Sequence, residues 1–348
     1  MSTFDIDRCS RKPSGTRAGV GSRNRLSLGK TACVIRETLT LEADGAVLAG
    51  TLTLPEEREA PIPLVVGVHG AEGGTRDFHL FRHLEATLPR AGLATLLFDR
   101  RGEGESAGDS KGVSYERLAA DVQAWQRCCA ADPRIDSGRI GLWGISQGGW
   151  IAPLAAAGLP ETAFLVAVSP AGVTPGEQMA FATRALMRQA GYGDESVEQM
   201  LTLRRAMDEL SAGRLAVAEA QSLLDAAANE QWFQLAFVPP DASLIDGSWA
   251  EEMEFDIRPA LRRLALPVLL FFGEHDRWIP VAESADVWRA ELGTGADLTV
   301  VSLPGTGHAA TFAAEPGDWL EHGPVSTDYE HALLAWLRDR GLVGTKDS

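Results

Sequence analysis

Three stretches of this 348-residue chain read Gly-x-Ser-x-Gly, and only one sits where a nucleophile would have to sit. Gly144-Ile145-Ser146-Gln147-Gly148 follows a short apolar strand, Arg139 to Trp143, and opens an apolar helical run, Gly149 to Ala157. A strand, a tight turn and a helix lift a serine hydroxyl clear of a sheet edge. They also leave the next backbone N–H, that of Gln147, free to receive an oxyanion. The other two matches, around Ser106 and Ser110, share Gly108 inside a polar run where no helix can start, so they read as a loop. With 36 glycines in the chain the pattern alone is weak, and its context has to carry the assignment.

A serine hydroxyl attacks poorly at neutral pH until a neighbouring base takes its proton, and an acid holds that base in the right tautomer. Two later loops offer both groups. Gly273-Glu274-His275-Asp276 follows the apolar run Val268 to Phe272, and Gly305-Thr306-Gly307-His308 follows Leu298 to Leu303. Asp276 is preferred to Glu274 as the acid, because a short aspartate caps a turn and still reaches an imidazole. His308, after the last strand, is the base. His275 and His322 read as surface histidines. A tetrahedral intermediate needs a second amide donor, and the loop His69-Gly70-Ala71-Glu72-Gly73-Gly74 after Leu64 to Val68 offers that of Ala71. His69 reads as structural. Glu72 departs from a plain glycine-rich loop, and its carboxylate would oppose an oxyanion if it turned inward.

The elements that must position these groups are legible in outline. Alternating residues from Val34 to Glu42, the turn Asp44-Gly45 and Val47 to Leu54 predict a β-hairpin. Strands then alternate with helices: a strand at 64–68, a helix at 78–91, a strand at 93–98, a helix at 115–131, the elbow strand and its helix, and a strand at 164–168. This predicts an α/β fold with a mostly parallel twisted sheet, helices on both faces and chemistry at the carboxyl ends of the strands. The alternation stops after Ser169 and resumes at Val268, and the residues between are rich in Ala, Leu, Met and Glu. A structureless loop of that length is improbable, so the segment reads as a helical cap. The expected organisation is therefore a basic unstructured tail over 1–33, a core over 34–170, a helical cap insertion over 171–264 and the rest of the core over 265–342. The tail holds seven Lys and Arg against two Asp and Glu within residues 1–30.

A formal net charge of −16 argues against binding a phosphate backbone, so nucleic acid is not an expected partner. No apolar run has the length of a membrane span. Cys9, Cys33, Cys128 and Cys129 show neither a disulfide framework nor zinc-ligand spacing, and a cytoplasmic location is expected. No metal or organic cofactor is implied, and homo-oligomerisation stays open.

Taken together, His69-Gly70, Asp99-Arg100-Arg101-Gly102-Glu103-Gly104-Glu105-Ser106, Gly144-Ile145-Ser146-Gln147-Gly148-Gly149, Gly273-Glu274-His275-Asp276 and Gly307-His308 resemble, in order, the motifs of the serine α/β-hydrolases. The likeness is to bacterial carboxylesterases related to prolyl oligopeptidases and acyl-CoA thioesterases, and it runs over about residues 35–342. It implies a triad of Ser146, Asp276 and His308, an oxyanion hole from the amides of Gln147 and Ala71, and a structural turn at Asp99–Gly102. The function it implies is hydrolysis of small, hydrophobic carboxylic esters. Peptidase, aminoacyl or thioester hydrolysis by the same triad is the alternative, and a non-catalytic ligand binder a further one. Aromatic residues of the insertion, among them Trp232, Phe237 and Phe255, either line an apolar site or pack the insertion itself.

Overall fold

The computed structural model describes residues 9–11, 34–56, 61–313 and 323–344. Nine strands form one sheet: β1 (Cys9–Arg11), β2 (Val34–Ala43), β3 (Ala46–Pro55), β4 (Ile62–Val68), β5 (Ala94–Phe98), β6 (Ile135–Ile145), β7 (Leu165–Val168), β8 (Val268–Gly273) and β9 (Leu298–Leu303). Their spatial order is β1-β2-β3-β5-β4-β6-β7-β8-β9. The pairings among β1, β2, β3 and β5 are antiparallel, and every pairing from β5 through β9 is parallel. β4, β6, β8 and β9 therefore all point the same way, and the loops that leave them emerge on one edge.

All seven residues of β4 are buried, as a strand covered on both faces requires. Leu64, Val66 and Val68 pack with residues of α2 (Tyr115–Ala130), α3 (Gly148–Gly158) and α9 (Val281–Leu292). Val65 turns to the opposite layer, built on α1 (His79–Thr87) and α10 (Thr327–Asp339). Strand periodicity of two thus divides one apolar run between two layers. Between β7 and β8 lie α4 (Pro175–Gln189), α5 (Asp194–Ser211), α6 (Val217–Ala227), α7 (Gly247–Met253) and α8 (Arg258–Leu261). Met187, Met200, Met207, Leu224 and Trp232 make a separate core there, so most of the segment's large apolar residues hold it together rather than face a ligand. Thr174, Pro175 and Glu177 start α4 with a capping box and a proline in its first turn.

The structure departs from the sequence reading at three places. The helix expected over 78–91 ends at Thr87 and gives way to a 3-10 turn at Pro89–Ala91, because proline has no N–H with which to continue the ladder. Cys9–Arg11, assigned to an unstructured tail, pairs with Leu39–Leu41 of β2 at the sheet edge; three residues are too few to show alternation. Cys128 is disulfide-bonded, whereas sequence spacing pointed to no pairing. Spacing does not reveal partners brought together only by the fold. Among the described residues no helix is long and apolar enough to cross a membrane.

Candidate active site

β6 ends at Ile145, and the next residue, Ser146, has φ of +54°. This left-handed backbone costs a non-glycine residue roughly 1–3 kcal/mol, so the surroundings must impose it. They do so from both sides. The Ser146 N–H donates to the Val168 carbonyl at 3.0 Å, and the Gly149 N–H donates to the Ser146 carbonyl at 2.7 Å. The serine is left half-buried at the strand–helix junction. The rival serines have other roles: Ser106 is buried, donating to the Asp99 carbonyl at 2.6 Å and accepting from the Ala49 N–H at 2.9 Å, whereas Ser110 is exposed.

Asp276 and His308 meet across the loops that follow β8 and β9. Nδ1 of His308 lies 3.1 Å from Oδ1 and 2.9 Å from Oδ2 of Asp276. The Asp276 side chain is fully buried, and its Oδ1 also accepts from the N–H groups of Trp278 at 2.8 Å and Ile279 at 3.1 Å. The same short side chain that caps the turn therefore reaches the imidazole. Glu274 is exposed and accepts from the Gly305 N–H at 2.9 Å, bracing the histidine loop from outside. His275 is exposed, and His322 lies outside the described residues.

The loop after β4 comes against the elbow. A Cβ placed on Gly70 would stand 3.4 Å from that of Ser146. Neither the Ala71 nor the Gln147 N–H has a hydrogen-bond acceptor among the described residues, and both residues line one cavity of about 540 Å³. Glu72 is exposed, so it does not place a desolvated charge against those amides. His69 is buried between the rings of Phe81 and Phe98, at centroid distances of 4.8 and 5.1 Å. Burial, and next the charge of Arg100, lower its pKa to about 3, so the ring is neutral and one of its nitrogens bonds the Phe98 carbonyl. This is a structural histidine.

Two residues that spacing did not single out stand beside these amides. Arg100, at the end of β5, donates from Nη1 to the Gly70 carbonyl at 2.9 Å and to Oε1 of Gln147 at 3.1 Å, and from Nη2 to the Ala71 carbonyl at 3.0 Å. Burial lowers its pKa, against opposing influences of Glu103, Glu252 and Tyr115. Tyr115, the first residue of α2, donates to Oε1 of Glu252 on α7 at 3.3 Å and lines the same cavity as Gln147. Burial first, then Glu252, raise its pKa. The only signal of Arg100 in the sequence was its place directly after a strand end and Asp99. Its neighbour Arg101 turns into the core, where it pairs with Asp121 and donates to the carbonyls of Ala43 and Asp44.

Besides Glu252, two aromatic residues of the insertion reach the site. Phe255 lines the cavity and meets the ring of Tyr115 edge-on at 4.7 Å. Phe237, itself at φ of +49°, packs at 5.7 Å against Trp278, whose ring is 6.3 Å from that of His308. Buried Arg204 donates to the Ala236 carbonyl next to it and so holds the unusual turn that presents Phe237. Among the described residues no group of three or more His, Cys, Asp or Glu side chains could hold a metal ion.

The sequence pattern of the alpha/beta hydrolase family matches residues 65–322. Similar solved structures include the Pf2001 esterase of Pyrococcus furiosus, at 15% identity over 92% of this chain and 99% of that one, with a TM-score of 0.60. Acetyl xylan esterase 1 of Thermoanaerobacterium sp. JW/SL YS485 is 14% identical over 95% and 88% of the two chains, with a TM-score of 0.54. Est1E of Butyrivibrio proteoclasticus, solved with ferulic acid bound, is 16% identical over 87% and 97%, with a TM-score of 0.53. At these identities the likeness is one of fold.

Proposed function

Because this chain belongs to the alpha/beta hydrolase family, we propose that it is a serine hydrolase that cleaves carboxylic esters through an acyl-enzyme, with Ser146 as nucleophile, His308 as base and Asp276 as its orienting acid. The observation that carries this reading is the buried Asp276 carboxylate against Nδ1 of His308, on the same sheet edge as a serine held in left-handed backbone. An imidazole whose Nδ1 proton is engaged by a carboxylate presents Nε2 as the acceptor.

In the first step Oγ of Ser146 bonds to the ester carbonyl carbon while its proton passes to Nε2 of His308. The carbonyl electrons move onto oxygen, facing the amides of Gln147 and Ala71. Collapse breaks the bond to the alkoxy oxygen, which leaves with the proton from His308. Water then attacks the acyl-serine with the same base, releasing the acid and restoring Ser146. The cavity beside the two amides would take part of the substrate. Val113, Leu118 and Phe255 give it apolar surface, while Ser114, Tyr115 and Glu252 give it polar groups, which fits an ester with both characters better than a wholly hydrophobic one. Several solved structures of this fold are named as esterases, which favours an ester over an amide.

The test is hydrolysis of p-nitrophenyl esters from acetate to octanoate by wild type and Ser146→Ala, with a fluorophosphonate probe located by peptide mass spectrometry. Expected are turnover in wild type alone and a covalent adduct on Ser146. Turnover that persists in Ser146→Ala, or an adduct on another serine, removes Ser146 as nucleophile.

A further inference from the structure

We propose that Arg100 is a positioning residue that holds the two halves of the oxyanion hole together; the proposal rests on the assignment of the Ala71 and Gln147 amides given above. Its guanidinium hydrogen-bonds both halves at once, through the Gly70 and Ala71 carbonyls on one side and Oε1 of Gln147 on the other. Those contacts span 30 and 47 residues of chain, so no local turn could substitute for them.

The geometry of a peptide unit gives the contact its consequence. In a planar trans peptide the C=O and the following N–H point in opposite directions. Fixing the Gly70 carbonyl on Nη1 therefore turns the Ala71 N–H away from Arg100, and that N–H is left without an acceptor among the described residues. The Gln147 side chain is fixed by its Oε1 on Arg100, which anchors the residue whose backbone N–H is the other donor. Charged donors to carbonyl oxygens are among the stronger hydrogen bonds, and the Arg100 side chain is only 16% exposed, so solvent competes little. A lysine offers one compact ammonium and cannot span three acceptors placed this way. The arginine itself is set by its backbone, whose N–H donates to the Gly74 carbonyl at 2.7 Å.

The test compares wild type with Arg100→Met, Arg100→Gln and Arg100→Lys in the full chain, using p-nitrophenyl butyrate. Rates are normalised to the fraction that reacts with a fluorophosphonate probe, so that loss of folded protein is separated from loss of rate. Misplacing one oxyanion donor typically costs about 10²–10³ in kcat, and a loss of at least about 10² is expected for Met and Gln, with KM changed less than about threefold. A boronic acid that mimics the tetrahedral intermediate should lose affinity in proportion to kcat/KM, Lys should restore less than a tenth of the rate, and added guanidinium should partly rescue Arg100→Gln. A merely structural arginine would lower the melting temperature and leave kcat of the labelled fraction within about threefold, which overturns the proposal. A loss carried wholly by KM overturns it as well. Turnover persisting in Ser146→Ala instead overturns the serine reading, and this proposal with it, and so is told apart from a failure of Arg100 alone.

Discussion

Asp276 accepts hydrogen bonds from two backbone amides and faces an imidazole with the same carboxylate. Asparagine keeps an oxygen for the Trp278 and Ile279 amides, so Asp276→Asn should fold; its NH₂ group cannot accept from Nδ1–H, and the wrong tautomer becomes favoured. If Asp276 acts as proposed, a loss in kcat of about 10⁴ is expected, by the template of known serine triads. Glu274 is the control. Its contact with the Gly305 N–H is one that glutamine reproduces through its carbonyl oxygen, so Glu274→Gln should stay within about twofold of wild type. Steady-state kinetics on both variants decides between the two acids, and the reverse pattern would transfer the role to Glu274.

The strands, the elbow and the loops after β4, β8 and β9 were legible because each joins an apolar run of strand length to a glycine-bearing turn, and both features are local. Asp276 could be separated from Glu274 by side-chain length, and the structure pairs Asp276 with the histidine. Arg100 was not legible as a clamp, since its partners lie 30 and 47 residues away and are mostly backbone carbonyls, which no spacing records. The insertion's aromatics were ambiguous for a related reason: periodicity tells that a face is buried, not whether protein or ligand covers it. Trp232 packs its own helices, whereas Phe255 reaches the cavity. The junction of β4, β6 and α3 gives this scale its prediction. A Cβ on Gly148 would stand 2.6 Å from the Val68 carbonyl oxygen and 2.8 Å from that of His69, and backbone oxygens at the end of a central strand cannot swing aside. Gly148→Ala must push α3 from β4, costing about 1–3 kcal/mol by the usual scale of overpacking. It should lower kcat together with the urea midpoint; an unchanged midpoint would mean that the junction is softer than its packing suggests.

Across the whole molecule, pH acts through groups whose proton affinity differs between the folded and unfolded chain. His69 is the clearest of these, buried under the centre of the sheet edge with its pKa lowered to about 3 by burial first and by Arg100 second. The unfolded chain titrates it at an ordinary value of about 6.5. Between those values the unfolded state holds the extra proton, so folding stability is greatest above about pH 6.5 and is lost as pH falls toward 3. The net charge of −16 works the other way, because protonating surface carboxylates relieves mutual repulsion before it breaks the paired ones. A melting curve of wild type alone mixes the two effects. The difference in unfolding free energy between wild type and His69→Gln cancels the common charge background, and glutamine can still donate to the Phe98 carbonyl. That difference should move against wild type as pH drops from 6.5 to 4, with a slope approaching about 1.4 kcal/mol per pH unit. Urea titrations at four pH values suffice to measure it. A difference that stays flat would mean that the folded protein takes up the proton at His69, and with it that water or a rearranged carboxylate reaches the ring behind the loop that follows β4.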